Sequence, residues 1–361
     1  MGSPSLDVVI PCLNEDQTIL AAVTSAHKEL ELAGIQDFKV WVADNGSTDN
    51  TLAILKAATH LKNLRVIHVG IRGYGAALHW GIMTSQADYV LFADADMSYP
   101  FSNIGRLGEK LKSSPDLILG SRLRGNIQSG AMPFLNRYLG TPVLTFLIRN
   151  FYGLKTSDCN SGMRVVRKKF YEQLKMKSPG MEWASELLLK SALNGVHYVE
   201  VPIEFHKDQR NRPPHLARWP DGWRHLKTII LFKPSMLYPF FFVFLGLGWA
   251  FLNTSFPVAS FFMLLAGSLF LGILEAHLLF TCLESSETFI SKLLKKFRVV
   301  PLTGIVSLVL FSGILFLPDR NLGTKMLLGS IINILLLWAF SIESIKTQAL
   351  ARLPNKLIDS P

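Results

Sequence analysis

Cysteine is scarce in this 361-residue chain. The three present, Cys12, Cys159 and Cys282, are scattered and odd in number, which speaks against a disulfide framework or a zinc cluster and fits a reducing compartment. Acidic residues are in deficit too: 27 Asp and Glu stand against 37 Lys and Arg, a formal net charge of +10. The commonest nucleotide-binding signatures are missing. No Gly-Lys-Ser/Thr closes a Walker loop, and Gly73-Tyr74-Gly75 runs into Ala76, Ala77 and Leu78 instead of the dinucleotide Gly-x-x-Gly spacing. That argues against P-loop ATPases and Rossmann dehydrogenases. Residues 1–7 hold neither a basic stretch nor an apolar run, so no signal peptide is expected.

What the chain does have is apolar length. A hydrophobic content of 49% and a mean hydropathy of +0.28 exceed those of an ordinary soluble enzyme. The excess is uneven: residues 1–235 read as one mixed α/β domain, while 236–361 consist mainly of long apolar runs. The runs 236–253, 257–280, 299–317 and 326–342 approach the roughly 20 residues that cross a bilayer core, predicting an all-α transmembrane domain of four helices. Lys292, Lys295, Lys296 and Arg298 lie between the second and third runs, and Lys346, Arg352 and Lys356 follow the fourth. By the positive-inside rule this expects a multi-pass protein with residues 1–235 and the C-terminus in the cytoplasm. Residues 221–233 place Trp223, Leu226, Ile230 and Leu231 opposite Arg224, His225 and Lys227, the pattern of an interfacial amphipathic helix. Because the basic residues follow the apolar runs, a lipid bilayer is the expected partner, and nucleic acid is not.

In the first domain, apolar strand-like runs alternate with helical patterns, which predicts a doubly wound, mostly parallel sheet. The decisive stretch is Tyr89 to Phe92 followed by Ala93-Asp94-Ala95-Asp96. Ligands of open α/β sheets bind beyond the carboxyl ends of the strands, and two carboxylates there suit Mg²⁺ or Mn²⁺. A helix cap would need one of the two. Three other strand ends carry polar or Gly-rich loops: Cys12-Leu13-Asn14-Glu15, Asp44-Asn45-Gly46-Ser47-Thr48-Asp49 and Gly70-Ile71-Arg72-Gly73-Tyr74-Gly75. Asn14 and Glu15 read as helix caps or as ligand contacts. Asp44 reads as an acceptor for a base N–H or as an organiser of its own turn. The Arg72 loop sets glycines and a cation at a helix start, a suitable diphosphate cradle.

With Gly120-Ser121-Arg122 and Asp158-Cys159-Asn160-Ser161-Gly162-Met163-Arg164 added to these loops, residues 6–233 resemble the family 2 glycosyltransferases of the GT-A fold. The resemblance is to the branch of dolichyl- and polyprenyl-phosphate sugar synthases, of the dolichyl-phosphate mannose and glucose synthase type. It implies a nucleotide-sugar site made by Pro11, Asn14, Glu15, Asp44, Asn45, Gly46, Arg72, Gly73, Gly75, Asp94, Ala95 and Asp96. Asp94 and Asp96 would hold the Mg²⁺ or Mn²⁺. Asn45 departs from the family, which commonly has a second Asp there, and this leaves uridine and guanosine both open.

The remaining assignments concern the acceptor and the chemistry. Arg122, Arg137, Ser161, Arg164 and Arg212 are candidates for its phosphate, with Arg122 counted beside Asp94 and Asp96 as catalytic; Glu182 or Glu186 is a candidate for the sugar hydroxyls. The helix expected at 131–153 has more apolar surface than one core face needs, which reads either as a helix lying partly on the membrane or as a plain core helix. The implied reaction is an inverting transfer from a UDP- or GDP-sugar to polyprenyl or dolichyl phosphate, and the resemblance leaves room for a homo-oligomer. Two alternatives stand beside it. A processive polysaccharide synthase is disfavoured because no Gln-x-x-Arg-Trp segment is present. A non-catalytic nucleotide-sugar or lipid-binding membrane protein is disfavoured by the intact Asp94/Asp96 pair.

Overall fold

The computed structural model describes residues 4–210, 218–251 and scattered positions between 259 and 273. They fall into two compact units, one ending at Ile229 and the other beginning at Ile230.

In the first unit, β1 (Leu6–Cys12), β2 (Val40–Asp44), β3 (Leu64–His68) and β4 (Tyr89–Phe92) pair in parallel. They share a seven-stranded sheet with β5 (Leu117–Ile127), β6 (Arg164–Arg167) and β7 (Tyr198–Phe205), in the order β3-β2-β1-β4-β6-β5-β7. Strand alternation sorts the side chains into layers. Leu6, Val8 and Ile10 bury against Ile19, Ala22, Val23, Ala26 and Leu30 of α1 (Ile19–Leu32) and share that core with Ile104 and Leu107 of α4 (Asn103–Glu109). Leu55 of α2 (Thr51–Ala57) joins the same core. Val9 faces the other way, onto α3 (Tyr74–Thr84), where a Cβ on Gly81 would lie 2.4 Å from its Cγ1. On that second face Phe92 meets the Trp183 ring of α7 (Trp183–Leu193) edge-on at 5.3 Å.

β6 is antiparallel to both of its neighbours, with Phe92 opposite Arg164 and Leu119 opposite Arg164. This reversal matters for function. It brings the turn that precedes β6, residues 158–163, to the same sheet edge as the carboxyl ends of β4 and β5. β7 runs parallel to β5, so the chain that leaves β7 also emerges at this edge. As an outer strand β7 tolerates Pro202.

Several elements differ from the sequence-based expectation. β5 carries the Gly120-Ser121-Arg122 motif within the strand and continues past it to Ile127, through an irregular register between Ser121 and Asn126. Its outer half keeps only Leu123 and Ile127 on the core among Arg122, Arg124 and Asn126; a Cβ on Gly125 would come within 1.9 Å of the Ile203 carbonyl oxygen, so only glycine permits the close pairing. The short helices α4 and α6 (Lys168–Leu174) each offer barely two turns of pattern and escape notice in sequence. The helix expected at 131–153 forms with a wide π-helical turn over Asn136–Gly140, followed by α5 (Thr141–Tyr152) and the left-handed Gly153. Phe134, Leu135, Tyr138, Leu139, Val143 and Phe146 form an exposed apolar ridge along it.

α8 (Arg218–Phe232) occupies the stretch read as amphipathic, but its faces differ from that reading: His225 and Lys227 are buried, with His225 Nδ1 2.8 Å from Ser185 Oγ, and Trp223 is exposed. In the second unit α9 (Tyr238–Phe251) lies within the first apolar run. No single helix among the described residues is long and apolar enough to cross a membrane; Pro220–Phe232 and Pro234–Ala250 reach that composition only as a broken pair. The second run is described only at scattered positions, and the third and fourth, with their basic flanks, lie outside the described residues.

Candidate active site

Loops from β1, β2, β4, β5 and β7, together with the turn before β6, meet at one edge of the sheet. β1 ends in Asn14 and Glu15. Asn14, at φ 56°, accepts from the Thr48 backbone N–H through Oδ1 (2.7 Å), while its own N–H donates to Ser47 Oγ (2.9 Å). The Glu15 N–H donates to Thr51 Oγ1 (2.8 Å). These bonds stitch the β1 loop to the β2 loop. Pro11 lies past the last β1–β4 pair, Val9 opposite Phe92, where a missing N–H costs that ladder nothing.

At the end of β2, buried Asp44 accepts from the Gly46 and Ser47 N–H groups (3.2 and 3.0 Å), the turn-ordering role, and lies 3.4 Å from His68 Nδ1. Asn45 uses its whole amide. Nδ2 donates to the Val69 and Ile71 carbonyls (3.2 and 2.7 Å) and Oδ1 accepts from the Gly73 N–H (2.6 Å). An Asp here has no N–H for the two carbonyls, so Asn is the residue this loop geometry requires. Gly46 sits at φ +86°, and a Cβ there would meet the Arg72 guanidinium at 3.5 Å.

The loop from Arg72 to Gly75, read in the sequence as a diphosphate cradle, packs against a second segment of the chain. A Cβ on Gly73 would lie 2.1 Å from the Pro179 carbonyl oxygen, and one on Gly75 would lie 2.4 Å from Trp183 Cβ. The Ala76 N–H donates to Pro179 O (2.9 Å). Both glycines therefore admit the 178–183 segment over the start of α3. What this loop sends to the β4 end is Tyr74, whose hydroxyl donates to Asp94 Oδ1 (3.0 Å).

Asp94 and Asp96 follow β4 on either side of buried Ala95. Burial, and after it the neighbouring Asp96 charge, push the Asp94 carboxyl well above the ordinary carboxylate range, against the hydrogen bond from Tyr74. Asp94 Oδ2 faces Gly162, where a Cβ would intrude to 2.8 Å. Asp96 Oδ1 accepts from the Ser98 N–H and hydroxyl (3.0 and 2.6 Å), a turn that holds Met97 at φ 62°. Asp96 Oδ2 accepts from Arg210 Nη2 (2.8 Å), and Arg210 Nη1 donates to Glu15 Oε1 (3.0 Å). Asp208 grips the same guanidinium from the loop after β7. Arg210 and Asp208 were not singled out in the sequence, although Asp208 is the one acid in the basic stretch 206–219.

The arginines assigned to the acceptor phosphate are placed differently from one another. Arg122 is buried against Asp158 in a two-pronged pair (Nε 2.7 Å, Nη2 2.8 Å), stacked over Phe205 at 5.2 Å. Burial alone would raise the Asp158 carboxyl; the Arg122 charge and hydrogen bonds outweigh it and hold it below its usual range. Arg164 is buried and donates to the carbonyls of Cys159, Ser161 and Ala184, which fixes the turn before β6. Ser161 lies in that turn, buried, with Oγ accepting from the Met163 N–H. Both guanidinium groups are engaged by protein acceptors in this structure. Arg137 sits in the π-helical turn of the apolar ridge, 5.5 Å above the Tyr138 ring. Arg212 lies outside the described residues. Of the acids assigned to the sugar, Glu186 accepts from Lys177 N, Ser178 N and Lys190 Nζ. Glu182 accepts from Gly180 N through Oε1, while its buried Oε2 has no partner among the described residues.

The first unit of the chain resembles known proteins in sequence and in fold. Residues 7–175 match the family described as glycosyl transferase family 2. The chain is 33% identical over 240 residues to the low-salt glycan biosynthesis hexosyltransferase Agl6 of Haloferax volcanii, covering 65% of this chain and 55% of that protein. It thus spans about half the length of that relative. It is 28% identical over 262 residues to the dolichyl-phosphate beta-glucosyltransferase of Saccharomyces cerevisiae, covering 64% and 75%. Among solved structures, glucosyl-3-phosphoglycerate synthase of Mycobacterium tuberculosis, crystallised with Mn²⁺, UDP and glucosyl-3-phosphoglycerate, superposes with a TM-score of 0.50 at 21% identity, over 63% of this chain and 80% of that one. That likeness is one of fold, the GT-A-like mixed sheet. Over residues 7–175, somewhat less than half of its length, the chain is similar to glycosyl transferase family 2.

Proposed function

We propose that the protein transfers a hexosyl group from a UDP- or GDP-linked sugar to polyprenyl or dolichyl phosphate, with inversion, at a membrane surface. The observation that carries this reading is the cation already seated at the strand ends: Arg210 bridges Asp96 and Glu15 where a donor diphosphate and its divalent ion would meet the protein. Two sources narrow the reaction class. The yeast relative is named for glucosyl transfer to dolichyl phosphate and the Haloferax relative for hexosyl transfer.

The residues fit a divalent ion. Burial, and after it the Asp96 charge, push the Asp94 carboxyl upward, and a positive group beside the pair favours its ionised form. Among the described residues no group of three or more His, Cys, Asp or Glu could hold a metal. Mg²⁺ and Mn²⁺ are commonly bound through one or two carboxylates plus substrate phosphates, and Asp94 and Asp96 offer such carboxylates. When bound, the ion neutralises charge on the departing diphosphate. The protein's own part is to fix Asp94 through Tyr74 and Asp96 through Ser98, so the carboxylates need no rearrangement as that charge develops. An acceptor phosphate oxygen attacks the anomeric carbon as the bond to the diphosphate breaks. A phosphomonoester with a second pKa of about 6 is already ionised, so no protein base is required.

The acceptor side is supported by the exposed ridge from Phe134 to Phe146 with Arg137 inside it, the chemistry of a lipid-facing surface with a cation for a phosphate. The apolar runs of 236–361 extend the same reading to a multi-pass anchor with its catalytic domain in the cytoplasm. The test is incubation of the full-length protein with labelled UDP- and GDP-hexoses, Mg²⁺ and polyprenyl phosphate. A lipid-extractable, acid-labile product that disappears in Asp96→Asn supports the reading; no lipid product from any donor overturns it.

A further inference from the structure

We propose that Arg210 is an exchangeable countercation, which occupies the carboxylate site in the ion-free protein and must be displaced from Asp96 for a divalent ion to bind. The inference rests on the metal-dependent reading above and adds a residue and a binding order to it.

The contacts support an exchange role over a permanent brace. One guanidinium serves three carboxylates from three separate loops: Glu15 after β1, Asp96 after β4 and Asp208 after β7. Asp94 adds a fourth carboxyl beside Asp96. The Arg210 guanidinium, with Arg122 acting on Asp94 from further off, has to serve four carboxyls, a charge deficit that a divalent ion would reduce. Asp96 Oδ1 is occupied by Ser98, so Oδ2, the oxygen on Arg210, is the one left for a metal. Two cations on one carboxylate oxygen repel, so guanidinium and metal compete for it. The surrounding backbone allows the exchange without loss of the loop. His206 N–H donates to Ser98 O (2.8 Å) and Gln209 N–H to Asp96 O (3.1 Å), which holds residues 206–209 against the site independently of the guanidinium. Asp208 stays bonded to the Arg210 N–H and guanidinium, a second anchor for the side chain once Asp96 is released. A donor diphosphate arriving with the metal offers the displaced guanidinium a bidentate partner. Metal alone therefore binds against Arg210, whereas metal with nucleotide binds with it, and the two ligands are coupled reciprocally.

The experiment is Mn²⁺ titration of the full-length protein in detergent micelles, reading free Mn²⁺ by electron paramagnetic resonance, alone and with UDP or GDP. In the wild type, nucleotide tightens Mn²⁺ binding about tenfold or more. Arg210→Gln and Arg210→Ala bind Mn²⁺ alone about tenfold more tightly than wild type and lose most of that coupling; Arg210→Lys, whose ammonium cannot bridge Glu15 and Asp96 together, falls between. If neutral variants fold poorly, Arg210→Lys and the wild-type coupling still decide. Unchanged or weaker Mn²⁺ binding in the Arg210 variants overturns this inference alone, as does wild-type Mn²⁺ binding that nucleotide does not tighten. Failure of the wild type to bind Mn²⁺ with either nucleotide overturns the metal-dependent reading as well.

Discussion

The Tyr74 hydroxyl donates to Asp94 Oδ1 across 3.0 Å, joining the start of α3 to the end of β4. It is a side-chain donor aimed at a carboxyl that burial and Asp96 push upward, and it favours the ionised form that a metal requires. Tyr74→Phe keeps the ring and removes the donor. The expected outcome is about a tenfold fall in transfer rate and a weaker apparent affinity for Mg²⁺, with little change in fold, because one hydrogen bond to a charged group is worth about 1.5–3 kcal/mol. Steady-state assays over a Mg²⁺ series check it.

Arg122 and Asp158 make the opposite case, a pair whose loss should be structural. Truncating Arg122 leaves the Asp158 carboxylate buried without its countercharge, at a cost of about 3–5 kcal/mol. Arg122→Ala is expected to lower the urea midpoint and the yield of folded protein. A variant that folds normally and only raises the KM for the lipid acceptor would return Arg122 to a phosphate-binding role.

How much of this was legible in the sequence follows from where the physics is local. The parallel strands β1 to β4 announce themselves as short apolar runs closed by polar loops, and Asp94-Ala95-Asp96 marks the site because two acids after a buried strand are hard to explain otherwise. The arginines show the limit of one dimension: Arg122 and Arg164 look like phosphate ligands in sequence, while their protein partners, Asp158, Cys159 O and Ser161 O in the turn before β6 and Ala184 O in α7, appear only in the fold. Gly73 and Gly75 look like a phosphate cradle, yet the backbone they admit comes from a segment more than a hundred residues later. Arg210 was hidden among other cations. Only the path of β7 brings it to Glu15 and Asp96.

His79 offers a pH test remote from the carboxylates. Burial lowers its imidazole to about 4 despite a contrary pull from Glu186, and its Nδ1 lies 2.9 Å from the Tyr171 hydroxyl, which accepts from Trp183 Nε1. The unfolded chain, with an ordinary histidine near 6.5, binds a proton that the folded state refuses. Its contribution is therefore complete above pH 6.5 and is lost as pH falls towards 4, at up to about 1.4 kcal/mol per pH unit. Urea unfolding between pH 4 and 7 checks the slope, which His79→Gln should flatten.

The central claim is that a lipid phosphate is the nucleophile at the Asp94/Asp96 edge. The most direct measurement compares polyprenyl phosphate with polyprenol of the same chain length as acceptors for labelled UDP- and GDP-hexoses in the full-length enzyme. The account expects a hexosyl phospholipid of inverted anomeric configuration from the phosphate and no transfer to the alcohol. Equal transfer to polyprenol, or retention of configuration, would contradict it.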